Sequence, residues 1–276
     1  MRNRGSVLVM ALALTILLVG LVGGFLYAAG LSILNSGWEE TDAKVFWLAE
    51  AGLQKGIWNL KTPSGSGGQG ESWTTAGTTE NLGDGSYTMA VARWDFALAA
   101  NGSSASATSS AAGTAPGDAI DGSDSTYWES DANPSAGNPQ DLIITFPYAL
   151  TINKVRFLAP SSSTRPRDYT WEVSSDGASY TTVVTANNNS ATDVTDTFSA
   201  QSNVRYLMLR TTQDGQGNPQ RVRVSTLEAI GARITSTGTI TAGGTDYTRT
   251  IRQAVVADDE SPQSRVAYYE PDWIEL

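Results

Sequence analysis

From Ser6 to Ser36 the chain carries no charged residue, and Val7 to Leu34 is an almost unbroken run of Val, Leu, Ala, Ile and Gly. About 20 such residues suffice to cross a bilayer. Arg2 and Arg4 precede the run, and positive flanks stay on the cytoplasmic side. Residues 7–34 therefore read as a transmembrane segment with a cytoplasmic N-terminus. A cleaved secretory signal is a weaker reading. Its apolar core is normally about 7–15 residues long, and Tyr27-Ala28-Ala29 offers no clean small-x-small site. An uncleaved signal anchor is a further alternative.

The run does not end in a loop. Phe46, Ala49, Leu53, Ile57 and Leu60 recur at steps of three and four, the helical period. No proline occurs before Pro63, so nothing forces a break. The spacing predicts one helix to about Leu60, roughly 80 Å long from Ser6 at 1.5 Å per residue.

Composition narrows the function. Acidic residues outnumber basic ones by 28 to 18, for a net charge of −10. That disfavours nucleic acid and anionic lipid as electrostatic partners. There is no cysteine and no histidine, which excludes a disulfide framework and thiol chemistry. No nucleophile elbow, phosphate loop or paired-carboxylate spacing is recognisable, so the chain is not expected to be an enzyme. The 27 glycines, among many Ser, Thr and Asn residues, point to a loop-rich β body.

The N-terminal segments resemble a type IV pilin: a short basic leader ending at Gly5, a hydrophobic stretch from Ser6, and an amphipathic second half of one helix. A-E-A-G-L at Ala49–Leu53, the Ile240–Val256 segment and Trp273-Ile274-Glu275 resemble the PilX-type minor pilins in particular. The resemblance implies cleavage of Gly5–Ser6 by a prepilin peptidase and methylation of the new N-terminus. It also implies packing on other pilins and minor pilins through the N-terminal helix. Such a protein is single-pass in the inner membrane before assembly and part of an extracellular or periplasmic filament afterwards. Major pilins carry glutamate at the fifth mature residue, where this chain has Met10. A buried ammonium needs a partner, but a subunit at the fibre end need not supply one. Met10 thus points to a tip position, as in GspK-like pseudopilins, or to a lineage that tolerates an apolar residue there.

Pro63–Gly70 reads as a flexible linker, and Gly85–Trp94 alternates like a strand. Beyond it lie A-I-D-G-S-D-S-T-Y-W-E-S at Ala119–Ser130, Y-T-W-E-V-S-S-D-G-A-S-Y at Tyr169–Tyr180 and V-S-T-L-E-A-I-G at Val224–Gly231, among short alternating segments. This series resembles the F5/8 type C, or discoidin, domain, a family 32-like carbohydrate-binding module. The resemblance implies a jelly-roll β-sandwich. The expected organisation is a leader over 1–5, a pilin helix and first part of the pilin body over 6–98, the sandwich insert over 99–231, and the second part of the pilin body over 232–276. Two domains in tandem are the alternative. The expected class is α+β: a long N-terminal transmembrane and amphipathic helix packed on a small antiparallel pilin sheet, with an inserted jelly-roll β-sandwich.

The discoidin resemblance implies a structural calcium ion (Ca2+). Its ligands would be the Asp118 carbonyl, Asp121, Ser123, Thr126, the Leu227 carbonyl and Glu228, all hard oxygen donors. The alternative is an ordinary Asp121-Gly122 turn and a solvated Glu228. The resemblance also implies ligand-binding loops at one end, carrying Arg165, Arg167, Asn218, Gln220 and Arg221. A guanidinium is a planar, multidentate donor suited to sugar hydroxyls and carboxylates; the alternative is that these arginines pair with surface acids. Trp128 and Trp171 are expected to fill the sandwich core. The expected function is a filament-tip minor pilin or pseudopilin displaying a module for adhesion or for binding a glycan or surface protein. The alternatives are an assembly-priming subunit whose insert docks partners, and a membrane-anchored carbohydrate-binding protein unrelated to pili.

Overall fold

The computed structural model describes residues 4–215, 220–256 and 267–268; side chains within α1 are described at Leu18, at 21–29 and from Glu39 onward. Helix α1 spans Arg4–Lys61. Among the described residues twelve strands follow: β1 (Thr75–Leu82), β2 (Gly85–Asp95), β3 (Ser104–Ala107), β4 (Trp128–Glu129), β5 (Gln140–Leu158), β6 (Pro166–Ser174), β7 (Thr181–Ala186), β8 (Asp193–Asp214), β9 (Arg223–Val224), β10 (Thr226–Ala242), β11 (Thr245–Val255) and β12 (Ala267–Tyr268). Every pairing is antiparallel.

The architecture corrects two expectations. The described chain is mainly an antiparallel β-sandwich rather than α+β. The strands run far beyond the short segments visible in sequence, because β5 absorbs two of them across register shifts between Thr145 and Lys154. In addition, no helix among the described residues is long and apolar enough to cross a membrane. The transmembrane segment 7–34 is corrected accordingly, and with it the inner-membrane and filament localisation. Most side chains of that segment lie outside the described ones; Leu21, Val22, Phe25, Leu26 and Tyr27 are exposed. The rest of α1 is amphipathic. Glu39, Glu40, Asp42 and Lys44 face solvent, while Val45, Leu48, Ala49, Leu53 and Leu60 are buried.

That apolar stripe packs on the sheet formed by β1, β2, β10 and β11. Leu53 and Leu60 meet Tyr87, Met89, Val91 and Ile234, and Val45 and Leu48 meet Ile240. The alternation read in Gly85–Trp94 is realised here, with Tyr87, Met89 and Val91 turned inward. Helix and sheet come close because glycines line the contact. A Cβ on Gly238 would collide with the Val45 carbonyl oxygen and lie 2.7 Å from the Ala49 amide nitrogen. The β10–β11 hairpin closes with Ala242 opposite Thr245 through Gly243 and Gly244, both at positive φ, as a two-residue turn of this kind requires.

A second core fills the sandwich, built on Trp128, Phe146, Ile152, Phe157, Trp171 and Leu207. Both tryptophans are fully buried, with their N–H groups satisfied. Trp128 Nε1 donates to Ser109 O at 3.0 Å. Trp171 Nε1 and Tyr169 Oη both donate to Asp196 Oδ2, at 2.8 and 2.9 Å.

The two layers share β10. Thr226–Ala229 pairs with β5, while Ile230–Thr239 pairs with β2 and Ala232–Ala242 with β11. Asp95 sits at the changeover, opposite Ile230. Its Oδ1 accepts the amides of Ala97 at 2.8 Å and Ala229 at 2.9 Å. Burial pushes the Asp95 carboxyl up to about 7, only partly offset by those two amides.

Two outcomes follow from this packing. Gly238→Ala forces a methyl into helix backbone that cannot turn aside, and lowers stability by about 1–3 kcal/mol, read as a shift in the urea midpoint. Gly77→Ala, whose Cβ would meet only Thr88 Cγ2 at 3.6 Å, leaves the midpoint nearly unchanged. For Asp95, the folded state holds its proton longer than the unfolded chain. Its stabilisation is complete below pH ~4 and is lost as pH rises towards 7. Urea midpoints across pH 4–8 then show wild type falling relative to Asp95→Asn, by on the order of 3 kcal/mol, and levelling above pH 7.

Candidate functional site

Four loops meet at one end of the sandwich. The 161–165 turn is closed by Ser161 Oγ and Thr164 Oγ1, 2.8 Å apart, and its Thr164 carbonyl accepts the Arg223 amide at 2.8 Å. Beside it lies the 188–191 turn, where Asn188 takes a positive φ of 58° and Asn189 Nδ2 ties the Pro166 and Ala191 carbonyls, each at 2.9 Å. The third loop enters at Asp214, a buried carboxylate whose Oδ2 accepts the Gln220 amide at 2.8 Å. The fourth is 129–131, joined to Val222 through Ser130.

The expected ligand residues fall on these loops, and most already have partners. Arg165 donates from Nε to Asn189 O at 2.9 Å and from Nη1 to Ser162 O. Arg167 grips Asn188 Oδ1 with Nη2 at 2.6 Å and Nε at 3.2 Å. Arg221 lies 3.0 Å from Asp131 and 3.6 Å from Glu129. Asn218 lies outside the described residues. The structure thus brings Arg165 and Arg167 together on the Asn188–Asn189 turn, and sets Arg221 on the neighbouring acidic segment.

Two residues at this end were not singled out in the sequence. Arg223 stacks over the Tyr127 ring at 5.0 Å and forms an ion pair with Glu129 at 3.0 Å. The alternation Arg221-Val222-Arg223, with Val222 buried, carried the signal: strand period puts both arginines on the outer face.

Of the expected calcium donors, Asp121, Ser123 and Thr126 share one turn. Asp121 closes on its own turn, accepting the Ser123 amide at 2.8 Å and the Thr126 hydroxyl at 2.7 Å. Asp118 Oδ2 accepts the Ala115 amide at 2.7 Å, and Ser123 Oγ meets Ser125 Oγ at 2.8 Å. Leu227 and Glu228 line a cavity of about 300 Å3 with Asp95, Gly122, Asp124 and Arg156. Across it, Thr226 rather than Glu228 reaches the loop, donating to Asp124 Oδ1 at 2.6 Å. Glu228 Oε2 instead takes Arg93 and Arg156, the latter at 3.0 Å. Among the described residues no three His, Cys, Asp or Glu side chains are grouped to hold a metal. A carboxylate neutralised by two guanidinium groups has less left for a dication, so Glu228 would have to part from Arg93 or Arg156 to meet calcium. Gly5 and Ser6, the expected processing pair, lie in the first turns of α1, with their side chains outside those described.

The family model of the F5/8 type C domain matches residues 103–224. No curated protein matches the chain. Among solved structures, chitosan-binding module 1 of a chitosanase/glucanase from Paenibacillus sp. IK-5 is 26% identical; the match covers 50% of this chain and 98% of that one, with a TM-score of 0.43. The family 32 carbohydrate-binding module of NanJ from Clostridium perfringens, solved with galactose, is 19% identical over 50% and 99%, with a TM-score of 0.41. CpGH89CBM32-5 from Clostridium perfringens, solved with GalNAc-β-1,3-galactose, is 19% identical over 46% and 94%, also at 0.41. None of these matches supports the pilin resemblance of the flanking segments, nor the pilin and peptidase partners it implied. Residues 103–224 are thus similar to the discoidin-like F5/8 type C domain.

Proposed function

We propose that this protein is a carbohydrate-binding protein that takes its ligand on the loop end of the discoidin-like domain. The observation that carries the reading is the convergence there of Arg165, Arg167 and Arg221 with the Arg223–Tyr127 stack. Saccharides present vicinal hydroxyls, and a guanidinium held by a neighbouring acceptor presents its remaining N–H groups in a fixed plane to such a pair. The Tyr127 ring adds an apolar face beside those donors. The acceptors Asp131, Glu129 and Asn188 stand next to the donors, so each sugar hydroxyl finds both kinds of partner. The loop-end acids are held in ion pairs with arginine, which suits a surface that binds.

The test is titration of the full chain with a panel of neutral hexoses, N-acetylhexosamines, glucosamine oligomers and uronates, followed by calorimetry. At least one saccharide binds, and Arg221→Ala weakens it tenfold or more. Arg221 is 44% exposed and surface ion pairs contribute little, so the melting temperature of that variant moves little. Absence of binding across the panel overturns the reading. A second measurement concerns calcium. Because Glu228 is committed to Arg93 and Arg156, millimolar calcium and a chelator give the same melting temperature. A calcium-dependent rise, abolished by Glu228→Gln, would overturn that assignment.

A further inference from the structure

We infer that a second saccharide site lies in the cleft between the discoidin-like domain and the helix-backed sheet. The inference rests on the carbohydrate reading for its ligand class, but uses none of the loop-end residues. The cleft encloses about 690 Å3, within the range of small-molecule sites. One wall is the outer face of the sandwich: Lys154 and Arg156 on β5, Asp193 and Thr195 on β8. The opposite wall is the segment that leaves α1, including Glu71 and Trp73. Ile230–Ala232 of β10 and Arg93 of β2 form the floor.

The charges decide what this cleft accepts. Lys154 Nζ reaches across to Glu71 at 3.0 Å. Arg156 holds Asp193 with two hydrogen bonds, at 2.6 and 2.8 Å, and shares Glu228 with Arg93. Three cations and two carboxylates line the cleft, and Glu228, off the lining, neutralises the remaining charge through Arg93 and Arg156, so each cationic group that a ligand meets already has an acidic partner. A carboxylate only accepts hydrogen bonds and a guanidinium or ammonium only donates them, whereas a hydroxyl does both. A polyhydroxylated neutral ligand can therefore bridge these acid–base pairs without breaking the charge balance. Trp73 supplies the apolar wall on which the C–H face of a pyranose ring stacks, and it is fixed from behind by packing against the Leu53–Met89–Ile234 core. The ligand class is thus a neutral saccharide held between domain and sheet. The segments flanking the discoidin-like domain take part in binding and do more than carry it.

The experiment uses the full chain and a panel of neutral trisaccharides: cello-, xylo-, manno- and galacto-oligomers. Calorimetry and saturation-transfer NMR are applied to wild type, Trp73→Ala, Lys154→Met, Asp193→Asn and Arg221→Ala. We expect one trisaccharide to lose at least tenfold in affinity with Trp73→Ala and with Lys154→Met, and to be unaffected by Arg221→Ala. If Trp73→Ala does not fold, Lys154→Met and the half-exposed Asp193→Asn carry the test. Binding that is lost only with Arg221→Ala overturns the cleft and leaves the loop-end site standing. Binding that is lost only with the cleft variants upholds the cleft and removes the loop end. No binding of any trisaccharide overturns the cleft, while monosaccharide binding at the loop end decides that site separately.

Discussion

One strand belongs to two sheets, and most of the molecule follows from it. β10 begins on β5 of the discoidin-like domain at Thr226–Ala229 and passes without a break onto β2 and β11. A continuous strand cannot bend freely, since each residue is held by ladder hydrogen bonds on its flanks. The domain is therefore set against the helix-backed sheet by backbone rather than by a linker. Asp95 reinforces the changeover by accepting the Ala97 and Ala229 amides, and the Phe96 amide donates to Ala229 O at 2.8 Å.

The same region concentrates the protein's interior charges. Arg156 joins β5 to β8 through Asp193 and to β10 through Glu228. Glu228 is only 15% exposed at its side chain, and Arg156 18%. Partly buried ion pairs cost desolvation as well as gaining attraction, so their worth here lies in geometry. They fix where β5, β8 and β10 stand relative to one another, and they leave the adjoining cleft lined with matched donors and acceptors. The contrast with the loop end is plain. There, pairs such as Arg221–Asp131 are exposed and contribute little to stability, but they keep guanidinium planes oriented.

The sandwich was legible because its signature is local: A-I-D-G and the strand-turn-strand pattern around Trp171 each occupy a few neighbouring residues. The inward faces of Gly85–Trp94 were legible for the same reason, since strand period is 2. What sequence concealed was register and reach. The polar run Asp193–Asn203 carries few aliphatic residues, yet forms the first half of β8 because β5 supplies the hydrogen-bonding edge. The apolar run 7–34 dominated the hydropathy and drew the reading towards a membrane. The partners of Glu228 could not be read either, because Arg93 and Arg156 are brought to it by strand pairing from 135 and 72 residues away. Trp73 and Lys154 gave no signal in sequence for a related reason: a cleft between layers has no motif of its own.

The way the domain leaves and re-enters the helix-backed sheet has a mechanical meaning. Its two connections emerge side by side, from the end of β2 and the start of β10, which are paired and antiparallel. A tug on the domain pulls both strands lengthwise out of the sheet. Along its far edge β10 is held by an unbroken ladder to β11 from Ala232 to Ala242. Load applied along such a ladder falls on all its rungs at once instead of opening them singly. The attachment resists shear, and a force on this domain is passed to the sheet that carries α1 through paired backbone.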